Sequence, residues 1–258
     1  TPLPEVEMVD MRTELRSGNT GIFSRRLVSA MQQTLGAGRQ AILFQNRRGY
    51  STFISCRDCG EALRCPDCGI SLVYHKRENA AVCHYCGRRF PLPEKCPSCG
   101  SRRIKYFGVG TEQVEEMAKK QFPDCRTERL DLDTAKNRTE INRIIRSFSK
   151  GETKILIGTQ LIAKGLDFRN VGLVGVISAD VSLNIPDYRS TERTFQLVTQ
   201  VAGRAGRGEK QGLVIVQSYT PDNFALQAAA AHDYMSFFRQ EILIRKFMEY
   251  PPFTDLII

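Results

Sequence analysis

Eight of the nine cysteines in this chain fall in four Cys-x-x-Cys pairs, confined to the segment from Cys56 to Cys99. They are Cys56/Cys59, Cys65/Cys68, Cys83/Cys86 and Cys96/Cys99. A thiolate pair at this spacing sits on a tight turn and can grip one metal ion. Two pairs complete a four-thiolate tetrahedron, so four pairs predict two zinc ions. A segment this short has too little apolar core to fold unaided, which makes the metal part of its folding free energy.

Spacing narrows the ligand sets. Only five residues separate Cys59 from Cys65, short for two knuckles closing on one ion, whereas the fourteen between Cys68 and Cys83 suit a zinc-ribbon hairpin. Cys65, Cys68, Cys83 and Cys86 then form one site. Cys56, Cys59, Cys96 and Cys99 form the other, nested outside it. A cross-braced pairing is the alternative. Iron–sulfur ligation is the rival chemistry, but Cys-Pro-x-Cys-Gly and Cys-x-x-Cys-Gly turns favour zinc. His84 lies inside a pair yet is read as a surface residue, because thiolates already complete each site. His75 and His232 are read the same way, and Cys125 as a small core residue.

The rest of the 258 residues can bury a full core. No apolar run reaches the ~18 residues of a membrane span, and no signal peptide opens the chain. Paired cysteines in that setting point to a reducing cytosol. A formal charge of +9 favours a polyanionic partner, nucleic acid first. The chain starts at Thr1 and stops in the apolar run Asp255-Leu-Ile-Ile258. It reads as a piece of a longer protein, cut at both ends.

Outside the cysteine block, strands and helices alternate. Gln40–Gln45, Ile104–Val109, Glu128–Asp131, Lys154–Ile157, Leu173–Ile177 and Leu213–Gln217 read as strands, mostly continuous aliphatic runs. Phe23, Leu27, Val28, Met31 and Leu35 recur at helical spacing, as do Ile141, Ile144, Ile145 and Phe148. Further helices are read from Gly110, from about Thr191 to Val201, and beyond Pro221. The pattern predicts an α/β fold, a parallel sheet with helices on both faces. Domain boundaries are placed at 1–55, 56–100 for the metal insertion, 101–220, and 221–258 for a helical segment beginning another region.

Two stretches carry chemistry. Gln200-Val-Ala-Gly-Arg-Ala-Gly-Arg207 sets two arginines three apart, each after a glycine: a fork of donors on a backbone that permits close approach suits phosphate. Ile155-Leu-Ile-Gly-Thr-Gln-Leu-Ile-Ala-Lys-Gly165 ends a buried strand in Thr159 and Gln160, with Lys164 nearby. Ligands of open α/β sheets bind outside the carboxyl ends of the strands, and this donor set suits a phosphate backbone.

Together these stretches resemble motifs V and VI of superfamily 2 helicases, on the second of two RecA-like lobes. Val6–Arg12, Asn46-Arg-Arg-Gly-Tyr50, the cysteine block, Gly110-Thr-Glu112, Asp187-Tyr-Arg189 and Gln200–Arg207 follow in the order found in the PriA family of replication-restart DNA helicases. The resemblance implies a RecA-like second lobe with an inserted domain holding two four-cysteine zinc sites, in the same nested pairing. It implies that Arg204 and Arg207 are arginine fingers, with Gln200 as the polar residue before them, and that Thr159, Gln160 and Lys164 contact DNA. Arg47 and Arg48 are further candidate DNA contacts. ATP and Mg2+ are implied as cofactors of the full-length protein. The implied partners are forked or single-stranded DNA junctions, primosome proteins and a first helicase lobe in cis, with no membrane. The implied location is the bacterial cytoplasm, at the nucleoid. The implied activity is ATP-driven 3′ to 5′ unwinding. No P-loop or DEAH-like acidic box occurs here, so the isolated chain is expected not to hydrolyse ATP. The alternative is a non-catalytic zinc module that binds DNA or primosome proteins.

Overall fold

The computed structural model describes residues 3–45, 53–75, 78–106, 110–131, 137–159, 162, 168, 170–206 and 211–255. It divides into two compact units. The first holds residues up to 47, 109–179 and 197–218; the second holds 48–108, 180–196 and 219 onwards.

The first unit is built on a six-stranded sheet. Its strands are β1 (Glu5–Asp10), β2 (Gln40–Phe44), β8 (Thr127–Leu130), β9 (Ile155–Gly158), β10 (Val171–Val176) and β11 (Leu213–Ser218), in the order β1-β11-β10-β2-β9-β8. Every pairing is parallel. Strands β2, β9 and β10 are buried along their whole length, which is why they read as mainly aliphatic runs without a charged residue. The α/β expectation is borne out. The opening segment, Glu5-Val-Glu-Met-Val-Asp10, becomes an edge strand, partly exposed and therefore mixed in composition. The segment at Ile104 forms a short strand that pairs outside this sheet.

Helix α1 (Met11–Arg16) follows β1, and helices α2 (Arg25–Gly36), α3 (Thr111–Gln121) and α4 (Arg138–Ser149) pack on the sheet. The Ser24 hydroxyl caps α2 by accepting from the Leu27 N–H, and Asn137 caps α4 through Thr139. Leu27 and Met31 of α2 and Val114 and Ala118 of α3 pack with Leu43, Ile157, Leu173 and Ile215. Fully burying a side chain of this size contributes roughly 1.5–3 kcal/mol. Cys125 is partly buried against that cluster.

The second unit contains two small antiparallel sheets. One pairs β3 (Ile54–Cys56) with β7 (Ile104–Tyr106); the other joins β4 (Val73–His75), β5 (Ala80–Val82) and β6 (Arg89–Phe90). It also holds α5 (Asp180–Leu183), the start of α6 (Ser190–Ala202), α7 (Phe224–Ala230) and α8 (Tyr234–Phe247). The core of the cysteine block is Ile54, Cys65, Ile70, Leu72, Ala81 and Cys83. Two of these six are cysteines, so metal ligands are themselves part of the small core.

Candidate metal centres and motif residues

The four knuckles share one backbone design. In each, the glycine after the second cysteine donates its N–H to the carbonyl of the first: Gly60 to Cys56, Gly69 to Cys65, Gly87 to Cys83 and Gly100 to Cys96, at 2.9–3.0 Å. The N–H of each first cysteine donates to the residue five positions on, at 2.8–2.9 Å. Closing so tight a turn needs positive φ at the glycine, and these four lie at 82°, 65°, 71° and 73°. That is the physical reason for glycine in each Cys-x-x-Cys-Gly.

The turns bring the thiols into two groups, Cys56, Cys59, Cys96 and Cys99 in one and Cys65, Cys68, Cys83 and Cys86 in the other, with all sulfurs of a group within 4.8 Å of one another. Individual Sγ–Sγ distances are 3.6 Å for Cys56–Cys99 and 3.7 Å for both Cys59–Cys96 and Cys65–Cys86. Four sulfurs about 2.3 Å from a central ion define a tetrahedron with edges of about 3.8 Å. The cages match that size, and the donor set fits a closed structural zinc site.

Their electrostatics point the same way. Burial pushes the Cys59 and Cys68 thiols up to about 12. In Cys96, burial is outweighed by the N–H groups of Cys99 and Ser98, which hold the thiol below its ordinary value. The Arg88 N–H does the same for Cys86. Backbone donors aimed at sulfur prepare it to be a thiolate. A bound cation supplies the charge that lets four thiolates coexist. His84 belongs to neither group; it is exposed, with its Nε2 3.0 Å from that of His75.

The block is anchored within its own unit by contacts that the cysteine spacing does not single out. Ser71 donates to Asn184 at 3.1 Å. The Tyr188 N–H donates to the Tyr85 hydroxyl at 3.1 Å. The Arg57 guanidinium stacks 4.6 Å over the Tyr219 ring. Asp180, buried, accepts from the Tyr219 N–H at 3.0 Å and from the Thr220 hydroxyl at 3.0 Å. These partners are 39 and 40 residues away in sequence, so no local spacing announces them.

The motif residues of the first unit occupy different edges of the sheet. Thr159 follows β9, at the carboxyl end of the strands. Helix α6 presents Gln200 exposed in its last turn and ends before Gly203 and Arg204. The turn beyond is fixed by a backbone close approach. Gly206 has φ +73°, and a Cβ there would lie 2.1 Å from the Gly212 nitrogen. Its N–H donates to the carbonyl of Val171, the first residue of β10. Arg204 is therefore placed toward the amino end of β10, not beside Thr159. Arg47, Arg48, Gln160, Lys164 and Arg207 lie outside the described residues.

Comparison with known proteins accounts for this combination. Residues 65–91 match the PriA DNA helicase Cys-rich region (CRR) domain, and residues 100–209 match the helicase conserved C-terminal domain. The replication restart protein PriA of Bacillus subtilis is 50% identical over 256 residues, 99% of this chain and 32% of that protein. The Synechocystis PriA is 47% identical over the whole chain and 31% of its own length. The Chlamydia trachomatis serovar D PriA is 42% identical over 98% of the chain and 34% of its own length. The chain thus spans about a third of the length of these relatives. It carries a helicase C-terminal lobe interrupted by a cysteine-rich insertion, and along essentially its whole length it is similar to the PriA replication restart proteins.

Proposed function

We propose that this chain is the C-terminal motor lobe of an ATP-dependent DNA helicase that acts in replication restart and primosome assembly. The observation that carries the reading is 42–50% identity to replication restart proteins along essentially the whole chain, cysteine block and Gln200–Arg207 included. In this reading Arg204 and Arg207 direct guanidinium charge at the phosphoryl group being transferred, with Gln200 beside them. Thr159, Gln160 and Lys164 contact the DNA backbone, and Arg47 and Arg48 add phosphate contacts. Each four-cysteine cage holds one zinc ion, which cross-links the knuckles and has no chemical step of its own. ATP and Mg2+ bind between this lobe and a first lobe that supplies a P-loop and acidic box. Unwinding runs 3′ to 5′ on forked or single-stranded junctions, in the bacterial cytoplasm at the nucleoid, and this piece alone does not hydrolyse ATP.

The test is Arg207→Ala, with Arg204→Ala beside it, in the full-length protein. ATPase activity should fall by about 10³-fold or more while DNA binding persists. Robust ATP turnover by this chain alone, or full activity in both variants, would sink the motor reading. The second reading, a non-catalytic zinc platform for DNA or primosome proteins, rests on the anchored cysteine block; it requires both arginine variants to be silent.

A further inference from the structure

Helix α4 carries a cationic stripe that no motif residue uses. Thr139, Arg143, Arg146 and Lys150 follow one another at three- and four-residue steps, with Asn142 beside Arg143, opposite the buried Ile144 and Phe148. Arg126, just before β8, joins Thr139, Asn142, Arg143, Arg146, Ser147, Lys150 and Glu152 in lining a shallow cleft. Four of those side chains are cationic and one is acidic.

The cations differ in how they are held. Arg143 is bound to Glu128 at 2.8 Å and to Glu140 at 2.7 Å, and Arg126 to Glu128 at 2.9 Å. Glu128 is fixed in turn by the Thr153 hydroxyl at 3.0 Å. These contacts orient two guanidinium groups at the rim. Arg146 and Lys150, both exposed, enter no ion pair among the described residues and are available to a ligand.

From Thr139 to Lys150 the stripe runs about 16 Å along the helix, at 1.5 Å per residue. That length spans several phosphates of a duplex, which carries one charge per about 1.7 Å of axis. None of the residues lining the cleft is apolar. A peptide partner binds through buried aromatic or aliphatic anchors, which this surface gives nowhere to sit. A phosphate backbone needs only cations and hydrogen-bond donors. The position is also separate from Thr159: Arg126 and Lys150 precede β8 and β9, whereas Thr159 follows β9.

We propose that the Arg126–Arg143–Arg146–Lys150 face of α4 is a second, sequence-independent binding surface for double-stranded DNA, beside the amino ends of the two outer strands. It rests on the reading that the chain is part of a DNA motor, and it adds a duplex contact away from Thr159.

The experiment measures binding of a labelled duplex to the chain by fluorescence anisotropy across a salt series. Arg146→Gln/Lys150→Gln should make the slope of log affinity against log salt shallower by about 2, and weaken binding on the order of 50-fold at 0.1 M salt. Lys119→Gln/Lys120→Gln on α3 removes equal charge elsewhere and should leave the slope unchanged. Arg146→Lys/Lys150→Arg keeps both charges and should bind as the parent does, which separates a lost contact from a damaged helix. Equal slopes for the parent chain and the Gln pair would overturn the proposal. So would loss of affinity in the α3 control to the same degree, or selective binding of an acidic peptide in place of duplex. If the chain binds no duplex while Arg204→Ala still abolishes ATPase in the full-length protein, this surface falls and the motor reading stands.

Discussion

The Tyr250 hydroxyl donates to the Cys68 carbonyl at 2.5 Å, joining residues 182 positions apart in sequence. The C-terminal segment is thereby tied to a zinc knuckle within the second unit. Around this bond, the rings of Tyr188 and Tyr250 lie 5.3 Å apart, and a Cβ on Gly69 would meet Met248 at 2.6 Å. Arg245 braces the same segment by binding Glu192 at 2.7 Å and Glu241 at 2.9 Å. Burial pushes Tyr250 up to about 12, so its hydroxyl remains a donor throughout the neutral range.

Tyr250→Phe keeps the ring and removes the donor, leaving the Cys68 carbonyl without it. The expected loss is about 1–2 kcal/mol of stability in this unit. Denaturant unfolding should report it, with faster amide exchange over Arg245–Phe253. Zinc content should stay at two ions per chain, because no ligand changes. A loss of metal would mean that the tyrosine supports the cage itself.

The two cages share no ligand. Cys65→Ser should therefore reduce bound zinc from two ions to one and leave the cage containing Cys56 filled, and Cys56→Ser should do the converse. Elemental analysis of the purified variants checks both. A strong chelator should melt the two small sheets while the six-stranded sheet of the first unit persists, since that sheet contains no metal ligand. Loss of both ions from either single variant would refute independent sites.

The four knuckle glycines should not respond alike to alanine. Gly100 has nothing within 4 Å of its would-be Cβ, so Gly100→Ala carries only the left-handed backbone penalty of about 1–2 kcal/mol. At Gly60 the new methyl would lie 2.0 Å from the Tyr219 carbonyl oxygen, a clash that one side-chain rotation does not relieve. Gly60→Ala should lower the unfolding midpoint well beyond Gly100→Ala. Matched melting curves with both cages loaded decide it, and equal shifts would rule out the close approach.

How much of this was legible in the sequence depends on the range of each interaction. The buried strands were legible because β2, β9 and β10 are buried along their length and so carry no charged residue and are dominated by aliphatic ones. The cysteines declared themselves through spacing, because a knuckle is a local structure. Strand β1 did not, since an edge strand with Glu5 and Glu7 half in solvent has no such run. Nor did the membership of the second unit. Helical spacing marks a helix only from about Thr191, yet Asp180, Asn184 and Tyr188 belong to that unit, and their partners Tyr219, Ser71 and Tyr85 lie from 39 to 113 residues away. Single polar contacts across such separations leave no periodicity to find. The α4 stripe is illegible for another reason: Ile141, Ile144, Ile145 and Phe148 identify the helix, and charged residues on the opposite face are what any solvated helix carries.

Glu128 gives the first unit a pH dependence with a definite sign. Burial alone would raise its pKa, but the guanidinium bonds from Arg143 and Arg126 and the Thr153 hydroxyl outweigh burial, and the carboxyl is held below its ordinary value. A folded pKa below the unfolded value of about 4.3 means that the stabilisation is complete above that pH. It fades as pH falls through the folded value, where both states are protonated. Both arginines are about half exposed, at 49% and 46%, so solvent screening keeps the contribution near ~1 kcal/mol. Glu128→Gln should thus lower stability at pH 7, and the gap from the parent should close on acidification below about pH 4. Urea unfolding at a series of pH values measures that gap. A gap that stays constant through this range would show that Glu128 acts through shape and not charge. The same substitution releases Arg126 and Arg143 from their carboxylate. If the α4 face binds duplex, the variant should also bind DNA more tightly at low salt, because the face loses one negative charge while Arg143 keeps its bond to Glu140.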